Sequence, residues 1–426
     1  VPLDGPPMNE LVIIADDLSG AADCAVMCAA AGLDALVALD GHAPLPRGCD
    51  GVAVLAIDAD TRGRTRAEAE LEIGALVRRH APHGRPLFRK LDSTLRGHVA
   101  AELAATLAVR REAGPSVIAL APAFPATGRT TLGGHQHVGG ERLEHTELWR
   151  RENIPGEAWI PGMLAAAGLR SAVLPLHDVR GPSLARSVRA AAEAHDVLVF
   201  DAEQDRDLRA AAGALSCLQL DVVWAGSAGL AAHLPQVARA TGDVSPPFVP
   251  PVVGRPVLVV LGSASSVSRA QARVLAGEPG LETVAVPVAA LHAGPGSEDW
   301  NRAAAALVRG IARGRDVLLL LGADEPVDLA QGHALAGRLA RLVQPAAPLI
   351  GGLVATGGET ARAVLLGFGT SALRLIGEIE PGVPCSLALG GPAMPVITKA
   401  GGFGDPETLR RCLRLLRGAG QISAPA

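Results

Sequence analysis

Residues 11–30 read LVIIADDLSGAADCAVMCAA, and this stretch decides the fold. Its first five residues are apolar without a break, the pattern of a strand buried on both faces. Asp16 and Asp17 end the run, and Leu18-Ser19-Gly20 leads into an alanine-rich stretch of helical period. Strand, polar turn, helix is the unit of a parallel α/β sheet. The same rhythm continues outward through VAVLAI (52–57), PLFRKL (86–91), SVIALA (116–121), AVLPL (172–176), DVLVF (196–200) and DVVWA (221–225). A proline-rich segment, SPPFVPPVVGRP (245–256), then interrupts it, since prolines suit neither helix interiors nor central strands. Beyond it PVLVVLG, TVAVPV, DVLLLLG, GLVATGG, CSLALG and PVITKAGG restart the pattern. The expected fold class is therefore α/β: two α/β domains with mainly parallel sheets, 1–244 and 257–426, joined by a linker at 245–256, with the active site in the cleft between them.

Composition excludes several function classes. The chain has 426 residues, 49% hydrophobic and 19% charged, with a formal net charge of -4 and a mean hydropathy of +0.28. It can bury large cores, so wholesale disorder is excluded. No block of like charge offers a footprint for nucleic acid or an anionic membrane. No apolar run reaches the ~18 residues of a span, and the first ten residues lack a basic and apolar leader pattern. Six cysteines without a CxxC pair make neither a disulfide framework nor a zinc knuckle, which fits a reducing cytoplasm. Among 39 basic residues only Lys90 and Lys399 are lysines, and tyrosine is absent.

Chemistry in an open α/β sheet gathers beyond the carboxyl ends of the strands. Asp16 and Asp17 stand at the first such end. Either can accept a hydroxyl proton or hold a polyol, and either can equally cap the following helix. The third strand runs into Lys90-Leu91-Asp92-Ser93-Thr94-Leu95-Arg96-Gly97. This mixture of cations, carboxylate and hydroxyls suits a small substrate carrying both a carboxylate and hydroxyls, with Ser93 and Thr94 expected at a helix N-terminus. The second domain has three glycine-rich junctions: Gly262 to Ser266, Thr356 to Thr360, and Lys399 to Gly404. Glycines let backbone approach phosphate closely, and three such loops in one domain favour a polyphosphate site.

Other named motifs fail. There is no GxxxxGK[ST], no dinucleotide fingerprint, and no GxSxG elbow around Ser227. His135 and His137 form an H-x-H near His145, but without HExxH spacing or a cysteine partner they assign no zinc.

The motifs IADDLSGAAD (14–23), KLDSTLRG (90–97), PAFPATGRTT (122–131), AGSAGLA (225–231), TGGETA (356–361), GEIEPGVP (377–384) and TKAGGFG (398–404) resemble the four-carbon acid sugar kinase family, in the family's order over essentially the whole chain. The chain departs from the family's usual tyrosine-containing turn at His137-Val138-Gly139-Gly140. The resemblance implies an N-terminal acid-sugar-binding domain, a C-terminal nucleotide-binding domain, and ATP-dependent phosphorylation of the terminal hydroxyl of threonate, erythronate or 3-oxo-tetronate. It implies that Asp17 and Lys90, Leu91, Asp92 and Ser93, with Arg62, contact the acid sugar. Ser263, the run Gly357, Gly358, Glu359, Thr360, and Gly401 or Gly402 would then hold ATP.

Combining motif and chemistry, Asp16 and Arg96 join the substrate set, Ser265 joins the nucleotide set, and Lys399 is expected on the phosphates. Asp17 or Asp92 would orient or deprotonate the acceptor. Mg2+ would bridge phosphate oxygens, with its protein ligands unassigned. The rival readings are a sugar-acid dehydrogenase or isomerase, and a non-catalytic acid-sugar or nucleotide-binding protein. Partners are expected to be small molecules, and the sequence leaves a homo-oligomer open.

Overall fold

A computed structural model of the chain describes residues 11–49, 51–152, 154–215, 218, 220–234, 252–262, 265–322 and 332–418. The chain divides into two compact units, one of residues 1–35 and 50–244, the other of residues 36–49 and 245–426.

The strands of the first unit are β1 (Leu11–Ala15), β3 (Val54–Asp58), β4 (Leu87–Lys90), β5 (Ser116–Ala121), β9 (Ser171–Leu174), β10 (Val197–Phe200) and β11 (Asp221–Gly226). They pair parallel in the order β3-β1-β4-β11-β5-β10-β9. The apolar runs read from the sequence are these strands, and the central ones are buried along their whole length, as a parallel sheet covered by helices requires. Three helices matter for the site: α1 (Leu18–Ala30), α2 (Arg66–His80) and α3 (Val99–Arg111). A small antiparallel sheet, β6 (Arg129–Leu132), β7 (His135–Val138) and β8 (Glu141–Arg142), stands apart in sequence order β6-β7-β8.

Register fixes where the unit's chemistry sits. Ala15 pairs with Asp58 and Lys90, and Lys90 with Gly226, so the carboxyl ends of four strands lie level. The chain leaves β1 for β3 on one side and then crosses to β4 on the other. The β1/β4 junction is therefore the topological switch point, where such sheets leave a crevice.

The second unit contains β2 (Ala35–Ala38) from Leu36 on, which pairs antiparallel with β16 (Ala372–Glu378), Val37 opposite Leu373. Its other strands are β12 (Val257–Leu261), β13 (Leu281–Val286), β14 (Asp316–Leu321), β15 (Gly352–Thr356), β17 (Pro384–Leu389) and β18 (Pro395–Lys399). Their order is β13-β14-β12-β15-β18-β17-β16, parallel as far as β18 and antiparallel beyond. Here the switch point is β12/β15, and Leu261, Thr356 and Lys399 stand in one row. The sequence boundary at 244 thus needs one correction. Residues 36–49 leave the N-terminal stretch to join the second unit, held by backbone pairing, by Leu39 N donating to Ser371 O and by Arg362 donating to Leu39 O. Of the expected linker, 245–251 lies outside the described residues, and Val253 N donates to Leu416 O.

Five described cysteines are free and buried. No helix among the described residues is long and apolar enough to cross a membrane.

Candidate active site

At the first switch point the chain must turn from a buried strand into a helix within two residues. Asp17 makes the turn possible: its backbone is extended and its Oδ1 accepts from Gly20 N at 2.8 Å, capping α1. Its other oxygen faces Arg62, whose Nη1 donates at 2.7 Å. Arg62 also donates from Nε to Asp16 Oδ2 at 2.8 Å and lies 3.4 Å from Asp92 Oδ2. The loop that carries Arg62 is pinned to the same place, because Thr61 N donates to Asp16 O.

Asp92 is held from several sides. Arg96 Nη2 donates to Oδ2 at 2.6 Å, while Thr94 donates to Oδ1 from both its N–H and its hydroxyl. Ser93 and Thr94 do not open a helix as the sequence suggested. Leu95 and Gly97 take positive φ of 55° and 81°, and α3 starts only at Val99. The segment is a tight, strained turn, the kind of backbone found where a site is over-determined by its surroundings. Leu91 is buried and its N–H donates to Gly226 O, so it anchors the turn to the sheet.

Lys90 is 6% exposed and closes no hydrogen bond or ion pair among the described residues. Gly20 makes room for it: a Cβ there would lie 2.7 Å from Lys90 Nζ. Asp16 Oδ1 is likewise buried without a partner. Burial pushes the Asp16 carboxyl up to about 6, against the pull of Arg62. Burial would raise Asp17 and Asp92 too, but Arg62 and Lys90 outweigh it at Asp17, and Arg96 and Arg62 hold Asp92 well below the usual carboxylate range. Burial opposes the Lys90 ammonium, yet Asp16, Asp17 and Asp92 keep it charged.

All eight residues expected on the substrate side, Asp16, Asp17, Arg62, Lys90, Leu91, Asp92, Ser93 and Arg96, therefore belong to two adjacent strand ends and one facing loop. Sequence reading missed their supports. Arg89, fully buried, donates to Ile14 O at 2.7 Å and to Glu102 Oε2 at 2.6 Å, and Glu102 Oε1 accepts from Thr61. Gln136 Nε2 donates to Ser93 O at 2.7 Å. Arg129, from the GRTT motif, is close enough for its charge to act on Asp92 and Arg96, and its Nε is buried without a partner.

The second unit's switch point is a glycine cradle. Gly357 has φ 88°, and its N–H donates to Lys399 O before the helix Gly358–Gly367 begins. A Cβ on Gly262 would fall 2.1 Å from Thr360 Oγ1, so only glycine lets that helix approach β12. The helices Ser266–Leu275 and Gly358–Gly367 begin after β12 and β15, and the second has no side-chain cap at its N-terminus, the end that favours an anion. Thr356 and Thr398 hydroxyls are buried there without partners.

Two residues of the expected phosphate set prove to be committed elsewhere. Lys399 is 1% exposed, and its Nζ donates to the carbonyls of Ala400 and Phe403 at 2.9 and 3.1 Å. Desolvation lowers it to about 8. Ser265 caps the helix Ser266–Leu275 and donates to Gly401 O, which also accepts from Ser268. Lys399 and Ser265, both expected on the phosphates, thus donate to the carbonyls of the loop 400–403. Gly358, Glu359 and Thr360 form the first turn of their helix, Gly401 and Gly402 form the turn after β18, and Ser263 lies outside the described residues.

Comparison with known proteins also divides the chain in two, with residues 36–49 inside the first match. A family model described as a sugar-binding N-terminal domain matches residues 11–234, and one described as a nucleotide-binding C-terminal domain matches residues 258–409. A D-threonate kinase of Cupriavidus necator is 41% identical over 93% of this chain and 96% of that protein. A second, from Bordetella bronchiseptica, is 34% identical over 95% and 97%. A crystal structure of a Salmonella typhimurium LT2 protein superposes with a TM-score of 0.77 at 23% identity, over 96% of this chain and 99% of that one, and shares the fold. With both domain models matched in order and relatives aligned end to end, the chain belongs to the four-carbon acid sugar kinase family.

Proposed function

We propose that this chain is a D-threonate kinase, transferring the γ-phosphoryl group of ATP to the terminal hydroxyl of the sugar acid. Kinase chemistry on a four-carbon acid sugar follows from the family, and ATP use with it. The choice of D-threonate rests on two relatives of that name that align with nearly the whole chain.

One observation carries the assignment of roles: Lys90, 6% exposed, closes no hydrogen bond or ion pair among the described residues, and Asp16 Oδ1 is buried without a partner, while both oxygens of Asp17 and of Asp92 are engaged. An unpartnered ammonium suits the substrate carboxylate, and an unpartnered carboxylate oxygen suits a hydroxyl. We assign the carboxylate of the sugar acid to Lys90, with Arg96 and the Ser93 turn lining it. The acceptor hydroxyl goes to Asp16 in preference to Asp17 or Asp92, because Asp17 is spent on the cap and Arg62, and Asp92 on Thr94 and Arg96. A carboxylate raised by burial is also the better proton acceptor.

The triphosphate is assigned to the cradle of Gly262, Gly357, Gly358 and Thr360 and the two helix N-termini. The orphaned Thr356 and Thr398 hydroxyls support it. Mg2+ brought in on the phosphates would neutralise their charge. A coupled ADP-release assay with D-threonate, L-threonate, D-erythronate and 3-oxo-tetronate tests the reading. D-threonate should give the highest kcat/KM; a higher value for another acid would reassign the substrate, and ADP release from none would overturn the kinase.

A further inference from the structure

The sheet β6-β7-β8 carries a second cluster that the kinase reading leaves unused. His135 opens β7, Glu144 lies in the 3-10 turn Leu143–His145, and Glu157 precedes the helix Ile160–Ala166. One ligand-type atom from each, His135 Nδ1 and a carboxylate oxygen of each glutamate, lies within 4.8 Å of the others. The Glu144 side chain is only 8% exposed, yet both its oxygens are buried without a hydrogen-bond partner, and His135 Nδ1 is buried and unpartnered as well. Around Glu144, His135 Nδ1 stands at 3.8 Å and the Arg142 guanidinium Nη1 at 3.9 Å, both outside hydrogen-bond reach. A buried carboxylate in this condition is expensive unless something fills the space before it.

A metal ion fits that space. Two ligands each ~2.1 Å from one ion stand about 3 to 4 Å apart, as His135 Nδ1 and Glu144 Oε1 do. Exposed Glu157 leaves a path of entry, and the backbone bridge between His135 and Trp159 fixes the segments together. We propose that His135, Glu144 and Glu157 form a site for one divalent transition-metal ion, of the Zn2+ or Mn2+ class that one imidazole and two carboxylates select. Half-exposed Arg142 turns to solvent when the ion binds. The ion ties β7 to the two segments that follow it, and Gln136, the next residue of β7, braces the Ser93 carbonyl from the strand's other face.

The test uses the full chain, stripped with EDTA and free of nucleotide, titrated calorimetrically with ZnCl2 and MnCl2, with MgCl2 as control. One Zn2+ or Mn2+ per chain is expected, together with a rise in Tm and a change in fluorescence from Trp159, whose ring stacks on His135 at 6.2 Å. His135→Ala and Glu144→Gln should each weaken binding by ~10-fold or more, the scale on which even outer-shell losses act. Glu144→Gln also removes the unpaired buried charge. Its metal-free Tm should therefore equal or exceed that of the parent, while added metal no longer raises it. No binding of either metal, or binding and a Tm response that both variants keep at the parent level, would overturn the proposal.

Discussion

Arg62 holds Asp16 by one oxygen only: its Nε donates to Oδ2 at 2.8 Å, and Asp16 Oδ1 stays buried without a partner. That asymmetry separates Asp16 from its neighbours. Asp16→Asn keeps the shape and an acceptor for Arg62 but removes the proton-accepting charge. kcat should fall by about 10² to 10⁴, the usual contribution of a general base, with KM for ATP and thermal stability little changed. Asp17→Asn should cost far less in kcat, since asparagine caps a helix about as well as aspartate. Steady-state kinetics with melts on both variants decides; equal kcat losses would remove the distinction.

Lys90 is expected to act on binding. Lys90→Met should raise KM for the sugar acid by roughly 10-fold or more, the scale of one charge-assisted hydrogen bond, with a smaller effect on kcat. Lys90→Arg should not rescue, because Gly20 leaves room for an ammonium and not for a planar fork. Recovery of the parent KM in the arginine variant would show that charge alone suffices.

Lys399 reads differently once its partners are known. As a brace for the Ala400 and Phe403 carbonyls, its loss in Lys399→Met should lower stability by about 1–3 kcal/mol, the cost of leaving buried acceptors unmade, and raise KM for ATP. A phosphate contact predicts the opposite balance: stability kept, and kcat/KM down by about 10². A urea titration beside the kinetics separates the two.

These cases show where local pattern stopped informing the reading. The parallel strands were legible because short, unbroken, β-branched runs such as LVIIA and VLVVL bounded by turn residues read as strands buried on both faces, and the glycine junctions followed from strand ends. β2 and β16 were not. ALVA is too short to stand out, ALRLIGE mixes Arg374 and Gly377 into its run, and their pairing joins Val37 to Leu373, far apart in sequence. Lys90 and Lys399 looked alike as rare lysines after strands; only the tertiary position of the loop carbonyls tells an unpaired cation from a brace. Arg89 and Gln136 had no local signal, since their partners come from other elements, and Arg129 stood in the PAFPATGRTT motif with no role attached to it.

The pH dependence tests Asp16 without a mutation. A base must be deprotonated to work, so kcat/KM for the sugar acid should fall as pH drops through about 6, where burial places this carboxyl. Asp17 and Asp92, both held below the ordinary carboxylate range, should not titrate in that window. A limb near pH 6 in the parent supports Asp16; a limb near pH 4 points to another group.

Glu102 supplies the last prediction. Arg89 and Glu102 are both fully buried, and they link β4, α3 and the Arg62 loop: Arg89 donates to Ile14 O, and Glu102 accepts from Arg89 and from Thr61. Removing one partner strands the other charge in the core, which typically costs 3–5 kcal/mol, so Glu102→Ala should destabilise the first unit by about that much. Replacing both partners, in Arg89→Met with Glu102→Leu, removes the unpaired charge and should recover much of the stability. Activity should not return with it, because Ile14 O and Thr61 then lose the ties that set Asp16 and Arg62. Urea titration and kcat/KM on the single and double variants give the answer. A double variant that regains both stability and activity would mean that the buried pair fills space and does not position the site.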